Sequence, residues 1–311
     1  MQVKNILLIG LGNIGQIHLR NLKKFKNLNI YVFDNDPNKI TSSVSEGVEL
    51  GSPDKDFWLE KQIDGAIVAT PTKHHFDISI NLIEANIPHL IEKPVVKSKE
   101  NFETIFENAK SKNIFVMAGF VERFHGCVSY LKKEIEKQNL IFFSSTRNSV
   151  KPDGSRELDN VLFDVLIHDL DIFNYLQDNT LMDSNKIQII QNEKFVTANY
   201  LKDSVLANFS ANRCSQKKTR SLKIITDSFE YDVDLIESTV TKTEFKSIRN
   251  IDNLSKPFIE TNETTVNIDP SESIYNEQYY FLNNAKKGFD KDLYKSYQFS
   301  HYACFNFDTE N

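Results

Sequence analysis

Val3-Lys4-Asn5-Ile6-Leu7-Leu8-Ile9-Gly10-Leu11-Gly12-Asn13-Ile14-Gly15 is the stretch on which the fold turns. An apolar strand-like run ends in a G-x-G-x-x-G loop, and helical spacing takes over at once, with Ile14, Ile17, His18 and Leu22 able to share a face over residues 14–25. A second strand is expected over 29–33. It is closed by Asp34-Asn35-Asp36-Pro37, which sets Asp34 19 residues past Gly15. In such a turn Gly10 permits the tight bend, Gly12 lets a pyrophosphate approach the backbone, and Gly15 allows close helix–strand packing. Asn13 and Ile14 open the helix, where free N–H groups and the helix dipole attract phosphate. Asp34 can accept hydrogen bonds from ribose hydroxyls and would repel a 2′-phosphate. No Arg follows it, so NAD is favoured over NADP. The bland reading, a glycine turn that binds nothing, leaves the acid at that spacing unexplained.

Working outward, strands over 65–69, 88–91 and 114–118 alternate with helices over 76–85 and 98–112, the latter with Ser98 as N-cap. Alternation of this length implies parallel βαβ units with right-handed crossovers. After about residue 120 the pattern changes. A helix over 126–138, a strand over 140–146 and an apolar helix over 160–175 precede strand-like runs at 186–191, 195–200, 204–211, 222–226, 229–235 and 239–245. Strands joined by short turns imply a largely antiparallel sheet. Residues 250–267 read as a loop or ragged strand pair, and 271–287 as a helix starting at Pro270 and Ser271. Residues 296–311 carry an aromatic stretch that maps to no clear element. The expected organisation is α/β: an N-terminal Rossmann parallel sheet in residues 1–120, and a C-terminal α/β domain with an open, mainly antiparallel sheet in residues 121–311.

The composition excludes more than it identifies. The chain has 311 residues, 26 % of them charged, with a net charge of −6. An acidic balance argues against sequence-independent nucleic-acid binding and against docking on anionic lipid. The apolar runs are too short to cross a bilayer, and the N-terminus does not read as a signal peptide. Cys127, Cys214 and Cys304 are scattered, which suits a reducing cytoplasm and gives no zinc or disulfide framework.

Two further signals carry chemistry. Glu92-Lys93-Pro94 follows the strand over 88–91, and in a doubly wound sheet the carboxyl ends of strands line the ligand crevice. That sets Lys93 at the mouth of the cofactor site; the alternative is a surface lysine before a turn proline. The second signal is Asp164-Val165-Leu166-Ile167-His168-Asp169-Leu170-Asp171. At 100° per residue Asp164, His168, Asp171 and Tyr175 form a stripe on an otherwise apolar helix. Buried ionisable groups are costly unless paired or functional, so the stripe is a candidate acid–base site. The alternative is an Asp–His pair tying the helix to a loop.

Together these motifs resemble the glucose–fructose oxidoreductase / inositol dehydrogenase / rhizopine-catabolism family. The matching order is G-x-G-x-x-G with His18 three residues on, the acid Asp34, Ala69-Thr70-Pro71-Thr72-Lys73-His74-His75, Glu92-Lys93-Pro94, then Asp164-x-x-x-His168-x-x-Asp171. The resemblance implies an NAD-dependent dehydrogenase acting on CH–OH groups, with Lys93, Asp164 and His168 projecting toward the nicotinamide. It implies that Thr70, Pro71, Thr72 and His75 lie beside the nicotinamide ribose, with His75 structural and His74 solvated, that Glu92 and Lys93 belong to the cofactor site, and that the bond before Pro94 is cis. It also implies a homodimer or homotetramer formed through the C-terminal sheet. His168 is the natural base for the hydroxyl proton, Asp164 would orient it, and Lys93 would hydrogen-bond the substrate oxygen; the roles of Lys93 and His168 remain exchangeable. Gly119-Phe120-Val121-Glu122-Arg123-Phe124 looks like members acting on UDP-N-acetylhexosamines at C3, although His125-Gly126 stands where that branch has Asn-Pro. The compact length favours the same branch. Arg123 would touch a substrate phosphate or hold the Glu122 loop, and the structural role is favoured. Dehydrogenation of a free polyol or inositol, an NAD-dependent glycosidase and a non-catalytic NAD-sensing regulator are the rival readings. Trp58 is expected to cap the first sheet.

Overall fold

A computed structural model describes residues 3–45, 47–54, 61–150, 160–177, 183–249, 258–269 and 272–307. Trp58 and the expected helix start at Pro270 and Ser271 lie outside them. The chain divides into two units. The first comprises residues 1–124 together with 272–301, and the second 125–271 together with 302–311.

The first unit is built on six parallel strands, β1 (Asn5–Ile9), β2 (Asn29–Phe33), β3 (Leu50–Ser52), β4 (Gly65–Val68), β5 (His89–Glu92) and β6 (Val116–Gly119), in the order 3-2-1-4-5-6. This is the doubly wound order, and it sets the ends of β1 and β4 at the reversal point. β1 is buried from Ile6 to Ile9 because helices cover both faces of such a sheet. The crossovers are α1 (Asn13–Leu22), α2 (Pro37–Ser45), α3 (His75–Glu84) and α4 (Lys99–Ser111). α1 buries Gly15, His18, Leu19 and Leu22, a three-four spacing that turns one stripe to the sheet. Ser98 caps α4, its Oγ accepting from the Asn101 N–H at 3.3 Å. The Asp-Asn-Asp-Pro closure after β2 proves to be the start of α2, with Pro37 at its first position, where a missing N–H costs nothing.

The chain leaves the first unit at Phe124 and returns to it with Glu272–His301. The returning helix, α7 (Ser273–Asn284), fills a surface that the Rossmann part leaves apolar. Phe281 and Leu282 join the core formed by Val3, Leu90, Phe115 and Met117, and the Tyr275 ring stacks on Phe25 at 4.4 Å. Gly65 is small because Phe281 lies over it: a Cβ there would meet the ring at 3.2 Å. The C-terminal stretch that resisted assignment is a helix, α8 (Lys291–Phe305), and the boundary between the units falls within it, after His301.

Burial disfavours the charged ring of two fully buried histidines in this unit. His89 Nε2 lies 2.7 Å from Ser79 Oγ and its Nδ1 3.2 Å from the Ile87 carbonyl. His301 Nε2 accepts the Val95 N–H at 3.2 Å while Nδ1 donates to the Tyr297 carbonyl at 2.9 Å. Burial lowers both pKa values from 6.5 to about 4. Between those values the unfolded chain takes up protons that the folded chain refuses, so stability falls as pH falls. The slope is about 1.4 kcal/mol per pH unit for each ring. Urea midpoints measured from pH 7 to pH 4 are expected to fall along this window, and His301→Asn is expected to flatten the fall; a midpoint independent of pH there would contradict the assignment.

The second unit begins with α5 (Gly126–Ile135) and holds eight strands: β7 (Leu140–Asn148), β8 (Ile187–Gln191), β9 (Phe195–Lys202), β10 (Val205–Asn212), β11 (Thr219–Thr226), β12 (Phe229–Asp234), β13 (Thr239–Arg249) and β14 (Phe258–Asn267). Their order is 14-13-12-11-7-10-9-8. Only the β7–β10 pair is parallel, so the sheet is mainly antiparallel as expected. β14 pairs with β13 through most of its length, which makes the end of the polar 250–267 segment a regular strand. One face carries α6 (Ile167–Leu176), whose Phe173 packs on Phe143, Tyr200 and Phe209 at 5.1–5.5 Å. The opposite face exposes Ile190, Leu201, Leu206 and Phe245 beside Ser144, Lys223, Asp232 and Thr241. No helix among the described residues is long and apolar enough to cross a membrane.

Candidate functional site

The first unit gathers its sequence motifs at the carboxyl end of its sheet. Gly10 has φ +96°, and a Cβ there would stand 2.6 Å from the Ala69 carbonyl oxygen; one on Gly15 would stand 2.0 Å from that of Gly10. Both positions are closed by backbone, so no side chain fits. Gly12 differs: nothing lies within 4 Å of where its Cβ would be, and Gly12 and Asn13 are exposed. The open cradle therefore sits at the start of α1, whose first N–H groups have no helical partner. Asp34 is oriented toward this loop. Its Oδ2 accepts the Leu11 N–H at 2.6 Å, its Oδ1 accepts the Asp36 N–H at 2.9 Å, and the Lys39 ammonium lies 3.8 Å from Oδ1. Each oxygen keeps a second lone pair for a ribose hydroxyl.

The loops after β4 and β5 are tied to one another by His75. This ring is buried, with Nε2 2.9 Å from the Thr70 carbonyl and Nδ1 3.1 Å from that of Pro94. Burial pushes its pKa down, against the carbonyls that favour a second proton. His75 thus braces the two loops, while His74 and Pro71 are exposed and Thr72 is half-buried. The Thr70 hydroxyl oxygen is buried with no partner among the described residues, a polar atom left for a ligand. The Lys93–Pro94 peptide is cis, and Lys93 is half-buried at the strand end. Glu92 is held on both sides: Oε1 faces His18 Nε2 at 2.8 Å, and Oε2 accepts the Lys93 N–H at 3.2 Å. Gly119 beside it must be small, since a Cβ would lie 3.2 Å from Glu92 Cα. An open glycine cradle at a helix start, an acid at the second strand end and an unpartnered hydroxyl together fit a dinucleotide.

Arg123 sits in a 3-10 turn, Val121–Phe124, and is buried. Its guanidinium donates to Ser296 Oγ at 2.9 Å and lies over the Tyr297 ring at 4.9 Å. This guanidinium is thus directed to α8.

In the second unit Asp164 lies inside a π-helical turn, Leu162–Leu166, that leads into α6. The Ile167 N–H reaches back five residues to the Leu162 carbonyl. A π-turn inserts an extra residue and rotates the helix beyond it, so a stripe spaced at 100° per residue does not run through it unbroken. Asp164, His168 and Tyr175 are half-buried, whereas Asp171 is completely buried. Two arginines that no motif marked meet this helix. Arg213 pairs with Asp164, and Arg147, from β7, makes a buried ion pair with Asp169, its Nε donating to Oδ1 at 2.8 Å and its Nη2 lying 2.7 Å from the same oxygen. Strand alternation could have flagged Arg147, the charged residue on the inward side of β7; nothing local marks Arg213. Lys93 belongs to the first unit, and Asp164 and His168 to the second.

Comparison with known proteins agrees with this geometry. Residues 4–120 match the family model described as an oxidoreductase family with an NAD-binding Rossmann fold. The UDP-N-acetylglucosamine 3-dehydrogenase of Acidithiobacillus ferrooxidans is 25% identical over 244 residues, 75% of this chain and 74% of that one. The NAD+-dependent scyllo-inositol 2-dehydrogenase of Bacillus subtilis is 30% identical over 178 residues, 54% of this chain and 52% of its own length. The solved structure of the Acidithiobacillus dehydrogenase superposes with a TM-score of 0.81 at 19% identity, covering 97% of this chain and 95% of that one.

Proposed function

We propose that the chain is a member of the glucose–fructose oxidoreductase / inositol dehydrogenase / rhizopine-catabolism family, whose NAD-binding Rossmann model its residues 4–120 match, and that it oxidises a UDP-N-acetylhexosamine at C3. The observation that carries this reading is the length of the match to the UDP-N-acetylglucosamine 3-dehydrogenase. An alignment of 244 residues is longer than the whole first unit, so it runs on into the second.

The proposed cofactor site comprises Gly10, Gly12, Asn13, Ile14 and Gly15 at the pyrophosphate and Asp34 at the adenosine ribose. Thr70, Pro71, Thr72, His75, Glu92 and Lys93 stand at the nicotinamide end. Bound there, NAD supplies the acceptor for the hydride that leaves the carbinol carbon. The protein must take the hydroxyl proton as that hydride departs. An imidazole suits this, since its ordinary pKa lies near neutrality. His168 takes the proton, Asp164, itself held by Arg213, orients the ring, and the Lys93 ammonium donates to the reacting oxygen as negative charge builds on it. The product is the 3-keto sugar, with two electrons and one proton on the cofactor and one proton on the protein.

Purified protein with NAD and UDP-N-acetylglucosamine is expected to generate NADH absorbance and a 3-keto product. Silence with that substrate, alongside turnover of a free inositol, would move the assignment to the second reading. Polyol oxidation is favoured by the 30% identity to the scyllo-inositol enzyme.

A further inference from the structure

Three elements of the first unit bring ionisable groups together behind the Lys93 turn. His18 comes from α1, Glu92 from the end of β5, and Glu277 and Gln278 from the returning helix α7. Their potential ligating atoms, one each from His18, Glu92 and Glu277, all lie within 4.8 Å of one another. Glu277 is completely buried, and neither of its carboxyl oxygens has a hydrogen-bond partner among the described residues. A carboxyl group in that position is expensive unless something depends on it.

The hydrogen-bond network sets the protons. Gln278 Nε2 lies 3.1 Å from the His18 carbonyl oxygen, to which only an amide N–H can donate, and 2.9 Å from His18 Nδ1. Nδ1 is therefore the acceptor, and the ring proton is on Nε2, where it is donated to Glu92 Oε1 at 2.8 Å. The same three residues offer a donor set for a divalent cation, but this tautomer presents a proton rather than a lone pair to the space between them. Glu92 then holds the negative charge of the cluster, and its other oxygen accepts the Lys93 N–H. A buried carboxyl group beside the half-buried Glu92 carboxylate is costly to ionise as well.

We propose that Glu277 is a positioning residue: as the neutral acid it leaves Glu92, and through Glu92 the backbone of Lys93, in place, and once ionised it repels Glu92. Burial and the Glu92 charge both push its pKa well above the usual carboxylate range. The charged and titratable groups on the elements packed around it are His18 on α1, Glu92 and Lys93 at the end of β5, and Glu122 and Arg123 in the 3-10 turn against α7. Of these, Arg123 is directed to Ser296. Ionisation of Glu277 as pH rises sets a second negative charge against Glu92 and loosens the peptide that carries Lys93. The proposal rests on Lys93 belonging to the cofactor site and is independent of which sugar is oxidised.

The test compares wild type with Glu277→Gln, which keeps the shape and cannot ionise, and with Glu277→Met, which is apolar and of similar length. Melting temperature and NADH affinity, the latter by nucleotide fluorescence, are measured from pH 6 to pH 9. A folded-state pKa above the unfolded one stabilises at low pH, and that contribution is lost as pH rises, so wild type is expected to lose stability and NADH affinity toward pH 9. Both variants are expected to lose less. The part of the pH-dependent loss of NADH affinity that belongs to Glu277 is expected to be absent in Glu277→Gln. Binding and melting profiles that superimpose on those of the wild type overturn the proposal. So does a variant destabilised equally at all pH values, which would mark Glu277 as packing alone. Absence of turnover with every sugar would fail the substrate reading and leave this comparison intact.

Discussion

Lys93→Ala is expected to lower kcat by about a hundred- to ten-thousandfold while the melting temperature stays close to that of the wild type. Lys93 lies at the exit of β5, half-buried, so its side chain supports little of the core. An ammonium that donates to an oxygen gaining negative charge acts mainly in the transition state, and its removal appears in kcat rather than in KM. Lys93→Arg is expected to restore little, because the planar guanidinium is larger and donates in a different geometry. The companion variant His168→Ala separates the two exchangeable roles. The residue whose loss removes the acidic limb of the kcat profile is the proton acceptor. Full turnover by Lys93→Ala would end the catalytic assignment of this lysine.

Asp169→Ala is expected to have the largest effect on stability, about 3–5 kcal/mol, read as a drop in the urea midpoint. The carboxylate and the Arg147 guanidinium are both almost wholly buried, at 2 % and 4 % side-chain exposure. Removing the acid leaves an arginine charge inside the second unit with its main partner gone. The neighbouring pair at Asp164 gives the contrast. That side chain is 30 % exposed, so Asp164→Asn is expected to change stability little and turnover strongly. A loss below about 1 kcal/mol for Asp169→Ala would mean that water reaches Arg147.

The cofactor half was legible from residues 3–34 and 92–94 because its constraints are local. Gly15 must be glycine on account of Gly10, five residues earlier, and Asp34 faces Leu11 because β1 and β2 are parallel neighbours. The helix α2 was missed because Asp-Asn-Asp-Pro reads equally as a turn and as a helix start. Glu277 carried a signal that went unused: it falls on the apolar stripe of α7 with Ile274 and Phe281, where a charge has no reason to sit without a partner.

The residues by themselves determined two different sheets, a dinucleotide cradle at the first βα turn and a helix carrying Asp164 and His168 in the second unit. Those features come from period, chirality and the space around three glycines, all of which act over a few residues. Tertiary structure alone decided the partners. Gln278 reaches His18 from 260 positions away, and Arg213 reaches Asp164 from 49. Periodicity states that a charge faces inward, but only the packed chain brings up the group that meets it. For Asp164 that group is Arg213, and for Glu277 it is the already ionised Glu92, which leaves Glu277 holding its proton.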